Sequence, residues 1–156
     1  GRLNLRITED LMDDVITEAL HHINRKSEEH HISVESKEEF LLAKMDAKLI
    51  VQVIINIVDN AIKYTEEDGH VTFTVRTNDR HLYISVADNG PGISDSDKKK
   101  IFDRFYRVDK ARTRQKGGFG LGLSLAQQIV LALKGTIVVK DNQPKGTIFE
   151  VKITGV

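Results

Sequence analysis

Apolar residues in this chain recur with two periods, and the change of period divides it into elements. In "ITEDLMDDVITEALHHINRKSEEHH" the residues Leu11, Val15, Ala19, Leu20 and Ile23 fall at helical spacing. Thr8 suits an N-cap and Glu9 and Asp10 suit a first turn, so a helix is expected over about 9–30. "HISVES" and "EFLLAKMD" read as two short strands of one hairpin. "MDAKLIVQVIINIVDNAIKYT" is a stronger helix, with Leu49, Ile50, Val53, Ile54, Ile57, Val58, Ala61 and Ile62 on one wide stripe. "HVTFTVRT" alternates Val71, Phe73 and Val75 with Thr72, Thr74 and Arg76. "HLYISVAD" alternates Leu82, Ile84 and Val86 with Tyr83, Ser85 and Ala87. Asn78-Asp79-Arg80 between them is a turn signal, which predicts an antiparallel hairpin.

Further along, "NGPGISDSD" reads as a loop and "DKKKIFDRFYRV" as a short helix or two. Residues 107–119 are charged and poor in apolar side chains, which predicts a mobile loop. "LGLSLAQQIVLALK" is a helix ended by Gly135, and "TIVVKD" and "GTIFEVKI" form a last hairpin around Asn142–Lys145. The expected class is α/β, with hairpin-rich strands on one face of a helical layer. No repeat, low-complexity tract or second domain is visible, so one domain is expected over 9–156 after a linker remnant at 1–8.

Composition narrows the function classes. The 156 residues are 40% hydrophobic and 29% charged, as in an ordinary globular protein. Lys+Arg and Asp+Glu both number 23, which argues against a broad nucleic-acid or anionic-membrane surface. The absence of cysteine excludes disulfides, thiolate metal sites and cysteine nucleophiles. The longest apolar stretch, Leu49–Val58, is interrupted by Gln52 and Asn56 and is too short to cross a bilayer. No signal-peptide pattern opens the chain, and Gly1-Arg2 reads as an expression scar or a cut inside a longer protein.

Three groups of residues do not fit a bland core. Gln52, Asn56, Asn60 and Lys63 or Tyr64 share one strip of the second helix. They read either as a solvent-facing stripe or as oxygens and amides turned toward an ion and phosphates, since Mg²⁺ prefers oxygen ligands. In "ADNGPGI", Asp88 ends a strand beside Gly90 and Gly92. That is either a tight turn or a carboxylate placed to accept a hydrogen bond from an exocyclic amine. Finally, Gly117, Gly118, Gly120 and Gly122 crowd in front of a helix, where backbone amides can meet phosphate. This loop matches neither a P-loop nor a dinucleotide fingerprint.

Together these stretches resemble the ATP-binding catalytic domain of sensor histidine kinases, within the superfamily shared with gyrase, Hsp90 and MutL ATPases. "NIVDNAIKYT" (56–65) resembles the N box, "DNGPGI" (88–93) the G1 box, "IFDRFYR" (101–107) the F box and "GGFGLGLSLA" (117–126) the G2 box. "GTIFEV" (146–151) resembles the family's closing strand, and the likeness covers roughly residues 30–154. The chain is also similar to potassium-responsive sensor kinases.

The resemblance implies a Bergerat-type two-layer sandwich, a mixed and mostly antiparallel sheet of about five strands on about three helices. It implies ATP and Mg²⁺ as cofactors. Asn60 would be the main metal ligand, with Asn56 supporting metal and phosphates. Lys63 and Tyr64 would meet phosphate and sugar. Asp88 would accept the adenine amine, helped through water by Thr147, with Gly90, Gly92 and Ile93 shaping the pocket. Tyr106 and Arg107 would approach ribose and phosphates. Gly118, Phe119, Gly120, Leu121, Gly122 and Leu123 would wall the phosphate side. Residues 108–119 would be a lid, with Lys110, Arg112, Arg114 and Lys116 as candidate γ-phosphate partners. Phe119 departs from the small Thr or Ser usual there.

Asn56, Asn60, Lys63 and Arg107 would carry the catalysis. In the related ATPases a glutamate stands at the place of Asn56; an amide cannot act as a general base. Neither Pro91 nor Pro144 has a histidine five positions before it, so the phosphoacceptor context is missing, and His21, His22, His30, His31, His70 and His81 read as surface or helix-end residues. The implied partners are a dimerisation and phosphoacceptor domain of the same parent and, indirectly, a response regulator. The implied setting is the cytoplasmic, monomeric part of a membrane-anchored bacterial sensor. The alternatives are a non-catalytic nucleotide-sensing module, an ATPase or an anti-sigma-type serine kinase.

Overall fold

The apolar stripe of the second helix organises the architecture. In the computed structural model, which describes residues 5–23, 31–36, 41–65, 69–106 and 122–154, this helix runs Ala47–Tyr64. The elements in order are β1 (Thr8–Leu11), α1 (Met12–His22), β2 (His31–Ser36), β3 (Leu42–Met45), α2 (Ala47–Tyr64), β4 (His70–Asn78), β5 (His81–Asp88), α3 (Asp95–Lys98), α4 (Gly122–Ala132), β6 (Thr136–Asp141) and β7 (Thr147–Thr154). Ile50, Val53, Ile54, Ile57 and Val58 of α2 are fully buried together with Phe73, Leu82, Ile84 and Phe149 of the sheet. Both α1 and α4 pack against α2. At roughly 1.5–3 kcal/mol for each fully buried large aliphatic or aromatic side chain, this stripe is the main stabilising contact between the layers.

The main sheet has the order β2-β4-β5-β7-β6, with β2 parallel to β4 and every other pair antiparallel. This is the expected two-layer sandwich. The β4–β5 and β6–β7 hairpins form as the alternation predicts. Asp79 and Arg80 both take positive φ (53° and 64°), as a two-residue hairpin turn demands.

The N-terminal region differs from the sequence-based expectation. Thr8–Leu11 is a strand, not the start of a helix, and pairs antiparallel with β3 from Thr8↔Met45 to Leu11↔Leu42. The helix begins at Met12, after Leu11, with no side-chain cap, and the Thr8 hydroxyl donates to Asp10. Likewise β2 and β3 are not a hairpin. β2 joins β4 in parallel, with α2 lying in the connection between them, as parallel pairing requires a crossover. Alternation fixes which residues face the core, and Ala43 and Met45 are indeed buried, but it does not choose the strand's partner. The small β1–β3 ribbon is tied to α2 through Asp46. This residue caps the helix by accepting from Leu49 N (3.3 Å), and its other oxygen accepts from Arg6 N (2.9 Å).

Two other boundaries shift. The segment read as loop up to Asp97 already turns helical at Asp95, because Ser94 Oγ accepts from Asp97 N (3.2 Å). The rest of "DKKKIFDRFYRV" that is described is a series of turns. At the end of α4 the left-handed residue is Lys134 (φ 60°), not Gly135. Gly135 serves a different need, since a Cβ there would sit 2.3 Å from the Lys152 carbonyl oxygen. Among the described residues no helix is long and apolar enough to cross a membrane.

Gly135→Ala is therefore expected to cost roughly 1–3 kcal/mol of stability by overpacking β6 against β7. Urea unfolding measures it; a variant with the parent's midpoint and slope would refute the close approach.

Candidate functional site

Strand β5 ends at Asp88, next to the start of β7. The register Ala87↔Ile148 leaves Thr147 N beside the Asp88 carboxylate, and Oδ1 accepts from it at 3.2 Å. Gly90 N donates to the same oxygen at 2.9 Å, from the turn that follows. Oδ2 has no protein donor among the described residues, so it keeps its accepting capacity for a ligand. Asp88 is only 5% exposed, and this burial raises its pKa above the usual carboxylate range; the Gly90 and Thr147 amides oppose part of that rise.

The approach needs Gly146. Its φ is +112°, and a Cβ would fall 1.9 Å from the Asp88 carbonyl oxygen. Asn142 closes the same corner: its Nδ2 donates to Asp88 O (2.8 Å) and its N to Gly146 O (3.0 Å). Gly92 has φ +85°, and a Cβ there would meet the Gly146 carbonyl oxygen at 3.5 Å. Ile93 packs partly buried against the core and Thr147 is buried; of the expected pocket residues, Gly90 and Thr147 bond Asp88 directly and Gly92 approaches it through Gly146. A cavity of about 400 Å³ lies between Pro91–Ser94 and Asp141–Gly146; it shares Gly92, Ile93 and Gly146 with this corner, but Asp88 does not line it.

The polar strip of α2 forms as the helical spacing requires. Gln52, Asn56, Asn60 and Lys63 are all half-buried, neither core nor open surface. Gln52 Nε2 donates to Asn56 Oδ1 at 3.1 Å, while Asn56 Nδ2 is buried with no partner among the described residues. Lys63 pairs with Asp59 at 3.3 Å. The amide oxygens fit the donor chemistry of a weakly held, largely hydrated Mg²⁺. Among the described residues no cluster of His, Asp and Glu competes for a metal. Gly122, the first residue of α4, lies against Asn56, with 3.9 Å between a hypothetical Cβ and the Asn56 side chain.

Within the F-box-like segment, Ile101 is buried and Phe102 packs edge-on against Phe149 (6.2 Å, 83°). Phe105 is 59% exposed in a left-handed conformation (φ 65°). The Tyr106 hydroxyl donates to Asp97, which lowers the Asp97 pKa and raises that of Tyr106. The side chain of Tyr64 and residues Arg107, Lys110, Arg112, Arg114, Lys116, Gly118, Phe119, Gly120 and Leu121 lie outside the described residues, as do the loop expected over 107–119 and His30. Leu123 is buried in α4. His21, His22 and His70 are exposed as expected. His81 is not: it is half-buried at the start of β5, with a buried Nδ1 that has no partner among the described residues.

Sequence reasoning missed Gly146, Asn142 and the Gln52–Asn56 bond. The glycine directly before Thr147 was the one available signal of a close approach there.

The family model described as histidine kinase-, DNA gyrase B-, and HSP90-like ATPase matches residues 45–155. Over 108 residues, 69% of this chain, the sequence is 71% identical to sensor protein CiaH of Streptococcus pneumoniae serotype 4, of which it covers 24%. Over 109 residues, again 69% of this chain, it is 51% identical to sensor histidine kinase WalK of Bacillus subtilis, of which it covers 18%. The chain thus spans about a quarter or less of these relatives. The narrower likeness to potassium-responsive sensors has no counterpart in their names. The nucleotide-free catalytic domain of histidine kinase ThkA superposes with a TM-score of 0.85 at 28% identity, with 97% of each chain covered. Histidine kinase ThkA in complex with response regulator protein TrrA gives 0.80 at 29% identity, over 96% of this chain and 42% of that one.

Asp88→Asn is expected to stabilise the nucleotide-free chain at neutral pH. A carboxyl whose folded pKa is raised contributes stability below its ordinary value and loses it as pH rises through the elevated one. The amide keeps an oxygen for Gly90 and Thr147 without burying a charge. Its melting-temperature advantage should therefore shrink on acidification; a difference independent of pH, or a less stable variant at pH 7, would contradict this.

Proposed function

We propose a function on the premise that this chain belongs to the histidine kinase-, DNA gyrase B- and HSP90-like ATPase family, among its sensor histidine kinase catalytic domains. The chain over 9–156, after a linker at 1–8, binds Mg-ATP and passes the γ-phosphoryl group to a histidine on a separate dimerisation domain of its parent. A response regulator then takes the group from that histidine. The parent is membrane-anchored, this part lies on the cytoplasmic side, and the isolated domain is monomeric.

The buried Asp88 carboxylate carries the reading. Its free oxygen accepts the exocyclic amine of adenine, and Gly90, Gly92, Ile93 and Thr147 enclose the ring. Asn60 supplies the metal oxygen, and Asn56 and Lys63 turn toward the phosphates. Tyr64, Tyr106 and Arg107 line the sugar and phosphate path. Gly118, Phe119, Gly120, Leu121, Gly122 and Leu123 cover it, with Lys116 beside the γ-phosphate. Mg²⁺, when bound, neutralises the charge that develops on the phosphate oxygens.

In the transfer, the bond from the γ-phosphorus to the β–γ bridging oxygen breaks as a phosphorus–nitrogen bond to the acceptor forms, and ADP leaves with the electron pair. Positioning accounts for most of the catalysis. Asn56 is an amide and activates no water, which supports transfer over hydrolysis.

Calorimetry with millimolar Mg-ATP, followed by phosphorylation of an added acceptor domain, tests the proposal. Binding with transfer in trans and negligible self-labelling is expected. Absence of binding refutes it, steady phosphate release favours an ATPase, and binding without transfer favours a nucleotide-sensing module. Asn60→Ala should abolish the Mg²⁺ dependence of ATP binding, and an unchanged dependence would reassign the metal.

A further inference from the structure

Asn56 does not hang free in its site. Its Oδ1 already accepts a hydrogen bond from Gln52 Nε2, one helical turn earlier, at 3.1 Å. Its Nδ2 sits on the opposite edge of the amide plane, buried and without a partner among the described residues. A planar amide offers an acceptor on one edge and donors on the other, so engaging the oxygen decides what the free edge presents. Gly122 faces the same side chain, and a Cβ there would stand 3.9 Å from it.

We propose that Gln52 is a positioning residue that sets Asn56 with its NH₂ edge toward the nucleotide. Asn56 then meets a phosphate oxygen as a hydrogen-bond donor, and the metal falls to Asn60 alone. This inference rests on the ATP-binding reading above and divides the two asparagines, which the sequence left sharing the metal. The orphaned donor is the observation behind it: a buried unpaired N–H is costly, and an anionic oxygen is the acceptor that relieves it best. Gln52 touches neither nucleotide nor metal in this scheme; it acts through Asn56.

The test compares ATP with adenosine, which lacks phosphates, on this chain and on Gln52→Met, a side chain of similar length with no donor. ATP affinity should fall about three- to tenfold in Gln52→Met, the scale of one ordinary hydrogen bond, while adenosine affinity and melting temperature hold. In an Asn56→Ala background the same substitution should cost nothing further, because its route is gone. The Asn56 side-chain amide protons should shift on ATP binding and not on adenosine binding. The inference is overturned by an undiminished ATP affinity, by an equal loss for adenosine, by a full additional loss in the Asn56→Ala background, or by amide protons that ignore ATP. If the parent chain binds neither ligand, the ATP-binding reading falls and this inference with it. If the parent binds both and Gln52→Met is without effect, only the inference falls.

Discussion

The approach of Gly146 to Asp88 is the contact on which the site depends. Two peptide segments 58 positions apart meet where a Cβ would overlap the Asp88 carbonyl oxygen, at 1.9 Å. Only that proximity brings Thr147 N to the buried carboxylate, which a single strand end could not hold alone. The position follows from register. The β5–β7 ladder runs from His81↔Thr154 to Ala87↔Ile148, and it is locked because Leu82, Ile84, Val86, Phe149, Val151 and Ile153 all point into one core. A slip of one residue would turn that whole set to solvent and carry Thr147 away from Asp88. Core packing and the geometry around the Asp88 carboxylate are therefore set by the same pairing.

Helix α2 couples the two layers in the same way. One face is fully buried against the sheet, and the adjoining strip carries Gln52, Asn56 and Asn60 at intervals of four. Since the buried face fixes the rotation of the helix about its axis, it also fixes where the amides point. The Asp46 cap and the β1–β3 ribbon behind it fix the start of the helix. Such polar groups need a rigid support, because a displacement of about an ångström is enough to weaken charge stabilisation badly.

The sequence made legible what is local. The length of α2, both antiparallel hairpins and the turn at Asp79-Arg80 follow from periodicity and turn chemistry within a few residues. Asp88 was visible because turn glycines surround it. What failed was pairing between distant segments. Thr8 looked like a helix cap because its strand partner, Met45, lies 37 positions away, and β2 looked like half of a hairpin because its parallel partner follows a whole helix. Gly146 and Asn142 escaped for the same reason: each acts on Asp88 across the sheet. The Gln52–Asn56 bond was within reach, since both residues stood on the recognised strip. The spacing showed that they were neighbours but not which end of each amide was engaged.

Among the described residues of the candidate site, two groups are left poorly satisfied, and they are opposite in kind. Asp88 is a buried carboxylate with a spare accepting oxygen, and its raised pKa reports the cost of its charge. Asn56 Nδ2 is a buried donor with no acceptor among the described residues, a deficit of about 1–3 kcal/mol. A ligand that relieves both must carry an N–H donor at one end and an anionic oxygen at the other. A base alone satisfies only the first and a phosphate alone only the second, so each leaves one cost in place. Under the proposed reading, the polarity of the site suits a molecule that joins an amino-substituted ring to a phosphate chain. The same relief links binding to stability, because any ligand that pairs both groups favours the folded state by mass action.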